Sequence, residues 1–72
     1  MIYKKIFYFK NNTNISLETN DTDSNLQQMN NVYYKRLKRG KIFFEYCGDN
    51  KVLMIDPKEI QIIHIEKIDK GE

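Results

Sequence analysis

The sequence predicts an α+β domain, with a single amphipathic helix packed on a mainly antiparallel sheet of about five strands in the order β-β-α-β-β-β. Three observations predict it. Apolar side chains alternate every two residues in both outer parts of the chain, and they recur every three to four residues between Leu26 and Leu37. Turn-forming residues separate the segments.

Residues Ile2 to Lys10 are dense in β-branched and aromatic side chains, with Ile6 and Tyr8 on one face and Phe7 and Phe9 on the other. A strand apolar on both faces belongs in the middle of a sheet, or turns one face to a partner. Asn11-Asn12-Thr13-Asn14 is a turn, because short polar side chains tolerate left-handed backbone and bond locally. Ile15 and Leu17 then alternate with Ser16 and Glu18, the pattern of a strand wet on one side, and the two strands are expected to form a hairpin. Ser24-Asn25-Leu26-Gln27 fits a capping box in which Ser24 caps the helix and Gln27 reaches back. Leu26, Met29, Val32, Tyr33 and Leu37 form its apolar stripe, and Gly40 supplies the left-handed residue that ends it.

From Lys41 the period returns to two. Ile42, Phe44 and Tyr46 share one face, and Phe43, Glu45 and Cys47 the other. Gly48-Asp49-Asn50 is a hairpin loop, Lys51 to Asp56 the returning strand, and Pro57 breaks it because proline has no N–H for the ladder. An isoleucine-rich last strand runs from Gln61 to Lys67, followed by a polar tail from Asp69 to Glu72. The alternative architecture is a small, strongly bent barrel of Sm-like or SH3-like form, although here the helix follows the second strand rather than preceding the first.

With 72 residues the chain is read as one domain, 1–72, and a core this small leaves modest stability that a partner subunit would improve. The lone cysteine, Cys47, excludes an internal disulfide and fits a reducing compartment. The apolar run before Lys10 is too short for a signal-peptide core or a membrane span, so a soluble, cytoplasmic protein is expected. Three glycosylation sequons, at Asn11, Asn14 and Asn20, reflect the abundance of asparagine. Heavy use of Ile, Lys and Asn, with no alanine, follows adenine- and thymine-rich codons and suggests a low-GC bacterium, or a phage or mobile element living in one.

The sharpest candidate site is the segment from Tyr33 to Lys41, which carries five cations in nine positions. On a helix, Lys35, Arg36, Lys38 and Arg39 span an arc of roughly 160° that excludes Leu37. This basic face, with Tyr34 and Lys41, could contact an acidic protein or phosphates, Tyr34 stacking on a base or filling a partner's pocket. The competing reading is that cations in a last turn complement the helix dipole and aid solubility. The net charge of only +2, and acidic Asp21 and Asp23 at the helix's other end, make the domain polarised rather than uniformly basic. A second candidate is self-association through the first-strand aromatics Tyr3, Phe7 and Phe9, giving a homodimer if one face of the sheet is left uncovered.

Other residues carry little chemistry. His64 reads as a strand residue at a sheet surface and Cys47 as a small buried hydrophobe, with no cysteine-enzyme signature around either. Glu45 and Asp56 could meet across the second hairpin, but both read as solvated acids. No zinc-ligand spacing or glycine-rich phosphate loop is present, so neither cofactor nor metal is expected. The expected function is that of a small non-catalytic binding protein, an accessory or inhibitor protein that modulates another protein. The alternative is a nucleic-acid-binding module using the same basic helix face.

Overall fold

The computed structural model describes residues 2–20, 25–47 and 50–68. Ser24, Asp21, Asp23, the loop residues Gly48 and Asp49, and the tail 69–72 lie outside them. The elements are β1 (Ile2–Phe9), β2 (Asn14–Asn20), α1 (Leu26–Arg39), β3 (Phe43–Cys47), β4 (Lys51–Ile55), a short 3-10 helix (Pro57–Glu59) and β5 (Ile60–Ile68). One helix thus packs on five antiparallel strands, the α+β class and element order expected from the sequence.

β1 is a central strand, as its two apolar faces require: the order is β2-β1-β5. Its hairpin with β2 turns through Asn12, which takes a left-handed φ of 68°. The Asn12 N–H donates to the Phe9 carbonyl (3.1 Å), and the Asn11 side chain accepts from the Thr13 N–H (3.2 Å). Along β1 the inward row is Tyr3, Lys5 and Phe7, with Tyr3 and Phe7 only 1% and 0% exposed.

The last strand returns to β1 rather than pairing with β4. Pro57 occupies the first turn of the 3-10 helix, where a missing N–H costs nothing, and the Asp56 carboxylate caps it by accepting from the Lys58 N–H (3.0 Å). That turn redirects the chain, and β5 runs antiparallel to β1 with a bulge where Tyr8 faces Ile62 and Phe9 faces Ile60. The five strands therefore divide into a three-stranded sheet and the separate β3-β4 hairpin. The arrangement is open, which excludes the closed-barrel alternative. A cleft of about 510 Å³ between Ile15–Glu18 of β2 and the hairpin residues Cys47, Asn50, Lys51 and Leu53 marks where closure would be needed.

The helix begins one residue later than the sequence pattern suggests. Asn25 is the cap: the Gln28 N–H donates to its side-chain oxygen (2.9 Å), and the Asn25 N–H donates to the Gln28 side chain (3.0 Å). Ser24-x-x-Gln27 and Asn25-x-x-Gln28 overlap, and only the second matches a helix starting at Leu26. At the other end Gly40 adopts a φ of 73° and its N–H donates to the Arg36 carbonyl (3.3 Å). The buried face is narrower than the predicted stripe. Met29 and Tyr33 are buried, while Leu26, Val32 and Leu37 remain 44%, 45% and 38% exposed.

The core joins Phe7 and Leu17 from the large sheet, Tyr33 from the helix, Phe43 and Ile55 from the hairpin, and Ile60. Tyr33 sits edge-to-face between Phe7 and Phe43, with ring centroids 5.9 and 6.1 Å away. No helix among the described residues is long and apolar enough to cross a membrane.

Two substitutions test the helix ends by chemical denaturation. Asn25→Ala should cost about 1 kcal/mol through the lost cap. Gly40→Ala should cost about 1 kcal/mol from left-handed backbone alone, since a β-carbon there meets nothing within 4 Å.

Candidate binding surfaces

Glu45 organises the polar interior. It follows Phe43 by two residues on the inward row of β3, which places its carboxylate beneath the helix, and it is only 6% exposed. The sequence reading as a solvated acid facing Asp56 is corrected: Glu45 lies opposite Leu53, and Asp56 is occupied in capping the 3-10 helix. The Tyr33 hydroxyl donates to Glu45 Oε1, which also accepts from Arg36 Nη1 at 3.2 Å. Lys5 Nζ approaches Oε2 at 3.9 Å. The Lys5 ammonium and the Arg36 guanidinium also lie 5.2 and 5.3 Å from the Tyr33 ring centroid, and Arg36 lies 5.2 Å from that of Phe43. Burial, then the hydrogen bond and the negative charge of Glu45, push the Tyr33 hydroxyl well above the usual phenol range, with Arg36 opposing them. A cleft of about 170 Å³ opens over this cluster. It falls below the roughly 300 Å³ at which small-molecule pockets begin.

This cluster changes the composition of the basic face. Arg36, expected in water with its neighbours, is drawn inward onto Glu45 and two aromatic rings. Lys35, Lys38, Arg39 and Lys41 remain exposed, and Tyr34 stands 62% exposed beside them. The helix end therefore presents one aromatic and four cations.

The first-strand aromatics behave differently from the expectation. Tyr3 and Phe7 are buried within the single chain and Phe9 is half-buried against its core, so Tyr3 and Phe7 have no surface left for a second copy. The uncovered apolar face lies instead on the outer side of the β3-β4 hairpin. There Phe44 faces Met54 and Tyr46 faces Val52 across the ladder, and Ile42, immediately before β3, is exposed as well. Their exposures are 49%, 72%, 69%, 49% and 59%, in that order. The alternation of Ile42, Phe44 and Tyr46 was visible in the sequence; their exposure was not.

Cys47 is half-buried at the core's edge rather than fully buried, with Lys51 as its cross-strand neighbour. His64 is on the other sheet, opposite Ile6, with its Nε2 3.7 Å from Glu66. Among the described residues no three His, Cys, Asp or Glu side chains gather as a metal site would need. No family model matches the sequence, and no curated protein or solved structure matches it significantly.

Removing Glu45 takes the carboxylate partner from both Lys5 and Arg36. Glu45→Ala should destabilise the fold by about 3 kcal/mol, the low end for a broken buried pair because Arg36 keeps a third of its side chain in water. Urea unfolding checks this, with Lys5→Met/Glu45→Gln expected to recover part of the loss of Glu45→Gln. The raised Tyr33 value also sets a pH dependence. Its protonated form is favoured by folding, so the contribution is complete below the unfolded phenol value of about 10 and is lost as pH climbs above it toward the folded-state value. Stability should fall in that alkaline window, with a shallower fall in Tyr33→Phe.

Proposed function

We propose that this chain is a small non-catalytic binding protein whose contact surface is the basic C-terminal end of α1, and that it acts by engaging an acidic surface on another protein. The observation that carries the reading is the exposure of Tyr34 amid Lys35, Lys38, Arg39 and Lys41. A rigid aromatic supplies contact area at little entropic cost, and flanking cations steer an acidic partner and fix its register. The helix supporting them is capped at both ends and tied to the β3-β4 hairpin through Tyr33 and Arg36. This suits an accessory or inhibitor protein, and the codon-driven composition suits a low-GC bacterium or one of its phages or mobile elements.

The exposed Tyr34 gives a second reading some support, since a base can stack on it while the cations contact phosphates. Withdrawal of Arg36 to Glu45 leaves four cations, and a net charge of +2 provides little further field for a polyanion. Protein recognition is therefore the better supported of the two.

The test compares the wild-type chain with a Lys35→Glu/Lys38→Glu/Arg39→Glu variant in affinity capture from a lysate of a low-GC bacterium, alongside binding to single- and double-stranded DNA at low and high salt. Protein recognition predicts a stoichiometric protein retained by wild type and lost by the reversal, without tight DNA binding. Micromolar DNA affinity that falls steeply with salt and vanishes in the variant would favour the second reading. Capture unchanged by the reversal would remove this surface from consideration.

A further inference from the structure

We infer that the outer face of the β3-β4 hairpin is the interface of a homodimer, with a second copy of this chain as its occupant. Among the described residues eight hydrophobic side chains are buried and eleven large ones are exposed, so much of the apolar supply is not used by the single chain. Four of the eleven, Phe44, Tyr46, Val52 and Met54, share this one face, and a fifth, Ile42, immediately precedes it in the chain.

The area suits a dimer. A large apolar side chain offers on the order of 200 Å² when fully exposed, so these five present on the order of 600 Å² between them. A specific interface buries at least roughly 1,000 Å² over both partners together, and this face set against its own copy would exceed that.

Its chemistry favours a copy of itself over a transient partner. None of the five side chains is charged, so a two-fold contact, which sets the patch against the same patch, buries no charged side chain among them. Surfaces that bind and release partners are about as polar as the rest of a protein, whereas homodimer interfaces are more apolar. A two-stranded ribbon is also marginal by itself, and stacking a second ribbon on its open side gives it the covered second face it lacks.

The interface is independent of the proposed binding surface. The helix packs on the hairpin's inner side, where Tyr33 meets Phe43 and Glu45, so the outer face looks away from it. A dimer leaves Tyr34 and its cations in water.

Sedimentation equilibrium of the purified chain at micromolar concentration should give twice the 8.7 kDa chain mass. Tyr46→Glu and Met54→Glu should each shift it to monomer with an unchanged far-UV circular dichroism spectrum, while Leu37→Glu on the helix should leave it dimeric. A measurement on wild type guards against variants that fail to fold. Met54 oxidation by peroxide should be several-fold slower in concentrated than in dilute protein, whereas a monomer exposing 72% of this residue would show no such dependence. A monomeric mass at all concentrations, dimers surviving both glutamate substitutions, or concentration-independent oxidation of Met54 would each overturn the inference.

Discussion

The carboxylate of Glu45 is the point on which the arrangement of the three structural units depends. Among the described residues the β3-β4 hairpin shares no ladder with the larger sheet, and the helix has no backbone bond to either. Apolar contacts among Phe7, Tyr33, Phe43 and Ile55 hold the units together but tolerate small rotations. The bonds from Tyr33 and Arg36 to Glu45 do not, because hydrogen bonds weaken steeply away from good geometry. With Lys5 of β1 on the other carboxylate oxygen, one side chain fixes the helix, the hairpin and the central strand relative to each other. A charge held in a small core is costly to desolvate, and it persists here because cations from two elements and a hydroxyl compensate it.

That arrangement separates an inner set of polar residues from an outer one. Arg36 turns its guanidinium inward onto Glu45 while a third of its side chain stays in water, and Lys35, Lys38, Arg39 and Lys41 stay exposed. The hairpin is divided in the same way, with Phe43, Glu45 and Ile55 turned to the interior and Phe44, Tyr46, Val52 and Met54 turned out. Each residue's role follows from which side of its element meets the helix.

Local features of the fold were legible in the sequence. Gly40 as a helix stop, the asparagine turn, both hairpins and the central position of β1 follow from chemistry within a few residues, and the structure agrees. The pairing of β5 with β1 and the division into two sheets are non-local, and periodicity ranks faces without saying which strand lies beside which. The buried ion pair left a readable trace. Lys5 falls between Tyr3 and Phe7, and Glu45 between Phe43 and Cys47, so opposite charges interrupt two apolar rows that both turn inward. Glu45 is buried because its own row, with Phe43, is the one that faces the helix. The narrow buried face of the helix had no such trace, because the stripe from Leu26 to Leu37 looks the same whether the sheet beneath it is wide or, as here, split.

The two outer surfaces also bear on each other energetically. Exposed cations such as Lys35, Lys38 and Arg39 contribute at most about 1 kcal/mol each to an ion pair and lose strength with salt. One such patch with a single tyrosine makes a weak contact. If two copies pair through their hairpins, the helix ends are presented twice on one rigid body, and engagement of the first raises the effective concentration of the second to roughly millimolar. The gain requires two acidic sites at matching separation, so a two-fold partner would be held far more tightly than a monomeric one with identical local contacts. Selectivity would then reside in the spacing set by the hairpin interface, with the cations supplying attraction and the dimer supplying discrimination.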